Sequence, residues 1–210
     1  MTSIVARLAG GSAMKPLRSA EAMPTWPGFK IGFELGLIPP ADINQMGDGS
    51  GTLPTMNPVP RLYLCKGLFF DTELIFSLFP SSVVNTINTS GLIFKWSYMD
   101  EKQGTYSGSL FLGMTSISAF NRQFLGSDIE LGAILSKDYV RVRPYAGLGL
   151  MKASGEFPSG ILQTPTTTSA SATLIHLFVG AEFNLPVNFT AQVDFYNLNP
   201  ALTVFTGKRF

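Results

Sequence analysis

The stretch VNFTAQVDFYNLNPALTVFTGKRF, residues 187–210, alternates polar and apolar side chains almost up to a terminal Phe210. From Asn188 onward, Phe189, Ala191, Val193 and Phe195 are apolar, whereas Asn188, Thr190, Gln192 and Asp194 are polar. Successive strand side chains point to opposite faces, so this period of two describes a strand with two unlike faces. In a soluble sheet the apolar face meets a core. In a membrane barrel it meets lipid, and the polar face lines an interior.

Working outward, the same alternation recurs in about ten segments, each of the length a tilted membrane-crossing strand needs. In FKIGFELGL (29–37), Phe29, Ile31, Phe33, Leu35 and Leu37 share a face opposite Lys30, Gly32, Glu34 and Gly36. RLYLCKGL (61–68) sets Leu62, Leu64 and Leu68 against Arg61, Tyr63, Cys65 and Gly67, with Lys66 on the apolar face near a strand end, where it would snorkel. DTELIFSLF, GLIFKWSYM, YSGSLFLGMT, LGSDIELGAIL, YVRVRPYAGLGL, TLIHLFVGAEFNL and ALTVFTGKRF read in the same way. Connections alternate in length. SKDY (136–139), NLPVN (184–188) and the turn near Phe69 are short, whereas residues 39–58, 80–89 and 152–171 and the stretch around Asn121 read as long connectors. Short turns at one rim and long loops at the other are the habit of outer-membrane barrels. The fold class expected is therefore all-β, a transmembrane antiparallel barrel of about ten strands, with eight as the alternative count. Residues 28–210 form the barrel and residues 1–27 an N-terminal periplasmic or plug segment.

Composition agrees with that reading. Fifteen Lys and Arg stand against 14 Asp and Glu, so no basic surface argues for nucleic acid. Charged residues make up only 14 % of the chain, well below the usual quarter, while 17 Phe need an apolar home. No apolar run is long enough for a transmembrane helix, which narrows the membrane option to strands. Cys65 is the single cysteine, so neither an internal disulfide nor a multi-cysteine metal site is expected. The first residues lack the long apolar core of a secretory signal, which for an exported protein implies a processed chain. SIVARLAGGSAMKPL (3–17) is compatible with a short helix that Pro16 would end. It is expected to plug the barrel, lie against a partner or fray.

Charge at the bilayer midplane costs about 2–4 kcal/mol for Lys or Arg, so charged side chains should gather on the inner face. By alternation they do: Lys30, Arg61, Lys95, Arg141, Arg143 and Arg209 meet Glu34, Glu73, Asp128, Glu130, Glu182 and Asp194. A narrow barrel with balanced interior charge should be closed or nearly so, although Gly32, Gly36, Gly132, Gly147 and Gly149 leave room inside. Asp128 and Glu130 are expected to form an ion-pair cluster with Arg141 and Arg143. His176, the only histidine, falls on the inner face. With Asp128 or Ser109 as conceivable neighbours it allows a hydrolase or acyltransferase reading, but no spacing motif accompanies it, and a polar interior network is the more economical account. Neither a catalytic residue, a metal site nor a cofactor is expected.

The terminal FTGKRF (205–210) resembles the last strand of bacterial outer-membrane barrels. The resemblance implies that Phe210 belongs to the signal read by the barrel-assembly machinery. MKPLRSAEAM (14–23), GFKIGFELG (28–36), VPRLYLCKGL (59–68) and VRPYAGLGLMKASGEF (142–157) together look like a group of small proteobacterial outer-membrane barrels within the OmpA-like or porin-like superfamily. The chain departs from OmpA-like porins in having no peptidoglycan-binding domain after the barrel. The expected location is the bacterial outer membrane, in contact with its lipids. The leading expectation for function is a structural or interaction component of the envelope that meets another envelope component; a channel for small or hydrophobic molecules and a lipid hydrolase or acyltransferase are the alternatives.

Overall fold

The computed structural model describes residues 2–38, 57–78, 87–99, 106–119, 124–158, 167–197 and 199–210. After a helix α1 (Thr2–Ser12), ten strands follow: β1 (Phe29–Ile38), β2 (Asn57–Gly67), β3 (Thr72–Leu78), β4 (Ile87–Met99), β5 (Ser107–Ala119), β6 (Phe124–Ser136), β7 (Val142–Phe157), β8 (Thr168–Phe183), β9 (Asn188–Tyr196) and β10 (Asn199–Arg209). Each strand pairs with its sequence neighbours in antiparallel fashion, and β1 pairs with β10, so the sheet is a closed barrel. The closing ladder runs from Lys30 opposite Arg209 to Leu37 opposite Leu202. Phe210 extends the seam, its N–H donating to the Phe29 carbonyl at 2.8 Å.

Alternation determines which way each side chain faces. On β4, Ile93, Lys95 and Ser97 are buried while Leu92, Phe94, Trp96 and Tyr98 face outward. Across β6, β7 and β8 the outward register Leu131–Leu150–Ile175 lies in an apolar belt. One pair further toward the long connectors comes Ile129–Lys152–Thr173, and then Ser127–Ser154–Ser171. The outer surface therefore turns from hydrocarbon-compatible to polar within two register steps. An apolar outer band around buried charges is the construction of a membrane-spanning barrel.

Proline, which cannot donate to a ladder, is placed accordingly. Pro58 and Pro60 pair with β1, but the β2–β3 ladder extends only to Leu62. Pro144 pairs with Ala181 of β8 beyond the last β6–β7 pair at Tyr145. Pro200 pairs with β9 beyond the last β1–β10 pair at Leu202. All four occupy one-sided stretches, where a missing N–H interrupts little.

Two expectations need correction. The long connector at 152–171 is much shorter, because Lys152–Phe157 belong to β7 and Thr168–Ser171 to β8. The period of two continues there, but small polar residues replace the apolar outer face, which is why alternation of hydrophobicity fails to reveal these strand ends. Similarly, residues 87–89 of the connector at 80–89 are the start of β4. The remaining connectors at 39–56, 79–86 and 120–123 lie outside the described residues.

Inside the ring runs the N-terminal segment. Residues 9–20 are buried without interruption. Val5 lies against Gly155, near the long-connector end of β7, where a β-carbon would stand 3.1 Å from Val5 Cγ2. At the other end, Lys66 donates to the carbonyls of Thr25 and Pro27 at 2.8 and 2.9 Å beneath the Trp26 ring. Lys66, expected to snorkel, instead clasps the segment where it leaves the lumen.

Candidate functional site

The site is the lumen, made of inward strand side chains and of the segment they surround. Nearest the short turns, Glu73 on β3 receives Arg18 at 2.8 Å and Lys95 of β4 at 3.4 Å, and also accepts from the Met23 N–H. Lys95 donates to the carbonyls of Ser19 and Glu21, both at 2.9 Å. Lys30 meets Glu182 at 2.9 Å, and the Ser19 hydroxyl meets the same carboxylate at 3.3 Å. The Ala20 N–H donates to Ser136 Oγ, and Ser97 Oγ donates to the Ala20 carbonyl. A chain outside helix and sheet has no regular partners for its N–H and C=O groups, so a buried one must be satisfied by its surroundings. Here the barrel wall supplies those partners.

Midway along the axis, Arg61 pairs with Glu34 at 3.1 Å and donates to the carbonyls of Ser12 and Ala13. The Met14 N–H donates to Thr115 Oγ1 at 3.0 Å. Lys15 approaches Asp194 at 3.6 Å. His176 lies between two carboxylates, Nδ1 at 2.6 Å from Glu130 and Nε2 at 2.9 Å from Asp194, with its ring stacked on Tyr196 at 4.2 Å between centroids. Gln192 and Thr203 also donate to Asp194, and the Tyr145 hydroxyl donates to Gln192.

Of the charged residues singled out by alternation, Lys30, Glu34, Arg61, Glu73, Lys95, Asp128, Glu130, Glu182 and Asp194 are buried, as is His176. Three are placed otherwise. Arg141 is exposed: it precedes β7 in the turn where Val140 adopts φ of +51°, which breaks the alternation that assigned it inward. Arg143 is only half-buried at the short-turn rim and pairs with Asp138 and Glu21. The expected cluster of Asp128 and Glu130 with Arg141 and Arg143 is therefore absent, because Asp128 and Glu130 lie most of a strand away from that rim. Arg209 is likewise half-buried, one residue from the chain end.

The partners of His176 are Glu130 and Asp194; Asp128 and Ser109 are not among them. Both ring nitrogens are committed to carboxylates in a site closed to solvent, an arrangement that orients a histidine without presenting a nucleophile for it to activate. The glycines expected to leave room serve the wall itself. β-Carbons at Gly32, Gly132 and Gly147 would run into Phe205, Phe111 and Phe178, and one at Gly149 into Glu130. Room for the segment comes from Gly91, where a β-carbon would stand 2.8 Å from Met14 Cβ, and from Gly10 of α1, where one would stand 2.7 Å from Tyr196 Cγ.

Lys15 and Arg18 are the functional residues that alternation misses, since they belong to no strand. Among the described residues, counting Lys and Arg alone, the buried wall holds three cations, Lys30, Arg61 and Lys95, against six carboxylates. The two segment cations make up most of that difference. Among the described residues no group of His, Cys, Asp and Glu is arranged to hold a metal ion.

No protein-family model matches the chain. No curated protein matches it in sequence. Solved structures with some likeness include Ail, the attachment invasion locus protein of Yersinia pestis, at 14 % identity over 87 % of this chain and 96 % of Ail, with a TM-score of 0.37. The backbone structure of Ail in a phospholipid nanodisc gives 13 % identity over 86 % of this chain and 99 % of Ail, at 0.41. Neisserial surface protein A gives 11 % identity over 87 % and 96 % of the two chains, at 0.33. The closed ring, the apolar belt and the charges withdrawn to the lumen make this chain an outer-membrane β-barrel.

Proposed function

We propose that the protein is a structural or interaction component of the bacterial envelope, a barrel (28–210) whose lumen is sealed by its own N-terminal segment (1–27). The observation that carries this reading is the unbroken burial of residues 9–20, with main-chain groups bonded to side chains of β2, β4, β5 and β6. A sealed lumen leaves the rims and the lipid-facing wall as the surfaces for contact with other molecules. Outer-membrane lipids meet that wall, and Phe210, at the β1–β10 seam, is the residue presented to the barrel-assembly machinery. The commitment of both His176 nitrogens supports a scaffolding role for that residue.

Single-channel recording of the intact protein in planar bilayers tests the seal, and steady ohmic steps would sink it. Cross-linking in cells followed by mild solubilisation tests the interaction role. One envelope protein captured repeatedly through the rim residues is the expected result, and capture of none across several linkers contradicts it.

A further inference from the structure

The wall of the lumen is not neutral by itself. Glu73 has Lys95 and Arg18 as partners, and Asp194 has His176 and Lys15. Without the segment each would lose one cation. Glu182 would keep Lys30 but lose the Ser19 hydroxyl. Moreover, Asp128 Oδ2 and Glu34 Oε2 are buried without a hydrogen-bond partner even with the segment in place. The acids are also staggered along the axis, from Glu73 and Glu182 near the short turns, through Glu34, Glu130 and Asp194, to Asp128 toward the long connectors. Lys15 and Arg18, three residues apart beyond the helix, meet two different acids, Asp194 and Glu73, at most about 10 Å apart along the segment. Separate acidic sites in series, each able to hold a cation without trapping it, are what a cation path requires.

We propose that the lumen wall is a path for small monovalent cations, and that Lys15 and Arg18 are tethered counter-ions occupying two of its sites in the assembled molecule. The proposal rests on the reading that the N-terminal segment seals the lumen. The path runs past Cys65, whose thiol lies 3.5 Å from the Arg18 guanidinium and 3.7 Å from Glu73. At the short-turn mouth Arg143 remains tied to Asp138. Inside this mouth lies the level of Glu73, Lys95 and Lys30, where removal of Arg18 changes the local charge most.

Cys65 serves as a native reporter. A protease recognition sequence is inserted between Pro24 and Thr25, both exposed, and the folded full-length chain is tested before cutting and again once the cut segment has been washed out of the immobilised barrel, its loss checked by mass. The probes are two methanethiosulfonates of similar size, one carrying a trimethylammonium and the other a sulfonate, each rate being divided by that with free cysteine. The uncut chain should react with neither. After cutting, the cationic reagent should modify Cys65 at least about tenfold faster than the anionic one, because a cleft lined by one sign of charge concentrates the opposite ion. The cut chain in planar bilayers under a KCl gradient should show a reversal potential of the sign that marks K⁺ permeation.

Reaction in the uncut chain would overturn the seal itself. Protection before and after cutting would overturn the path while leaving the seal intact, and equal normalised rates after cutting would overturn the cation preference. As a second route, Lys15→Gln combined with Arg18→Gln in the uncut chain should admit the cationic reagent preferentially; admission of both reagents equally counts against the proposal.

Discussion

The two halves of the N-terminal segment are held in the lumen by different physics. Residues 13–23 form neither helix nor strand, and wall side chains bond their main chain while Glu73 and Asp194 receive Arg18 and Lys15. The preceding helix satisfies its own backbone except at its last turn, where Arg61 takes the Ser12 carbonyl, and otherwise packs by size. Val5 fits against Gly155, Gly10 against Tyr196, and Ala6 beside Met151, Ala172 and Leu174. Directional contacts fix a register, whereas a fit between small residues fixes only a distance. The non-helical half should therefore anchor the segment, with the helix following it.

The strongest test of that contrast is Glu73→Gln, which leaves Arg18 and Lys95 buried without their carboxylate. Breaking a buried pair from one side costs about 3–5 kcal/mol. Urea unfolding in lipid vesicles, followed by Trp26 and Trp96 fluorescence, should show a loss of that size, and a loss as small as that of a helix variant would erase the distinction. Next in size is Gly91→Leu, which drives a side chain into Met14 without removing a polar contact. Overpacking of this kind costs about 1–3 kcal/mol, and Cys65 should become measurably reactive in the folded protein. Val5→Ala, on the helix, should cost about 1 kcal/mol and leave Cys65 protected; if it exposes Cys65 as much as Gly91→Leu does, the helix is an anchor too. Smallest is Arg141→Ala. Exposed in its turn, it should shift stability by no more than about 0.5 kcal/mol, and a larger change would return it to the lumen network.

Strand number and closure, and nine of the twelve inward charges, were legible because alternation in a membrane barrel is enforced by lipid on every crossing residue. The reading failed where that enforcement ends. Residues 152–157 remain strand but stand beyond the apolar belt, so Lys152, Ser154 and Glu156 look like loop. Arg141 was misplaced because Val140, at a positive φ, resets the alternation just before β7 begins. The partners of His176 depend on register across β6, β8 and β9, which no local period encodes. The segment cations were least legible of all. Nothing in MKPLRS says that Lys15 belongs beside Asp194 or Arg18 beside Glu73, since those pairings arise only when the ring is assembled around them.

The β1–β10 seam imposes an order in time. Ser19 meets Glu182, which lies 163 residues further along the chain, and the ring closes only when β10 reaches β1. Contacts so distant in sequence are slow to form. Until they form, the polar side chains of the early strands face an unfinished interior. A segment enclosed before the last seam is zipped is retained as the template around which the barrel closes, because the finished ring leaves no strand edge through which it could slip sideways.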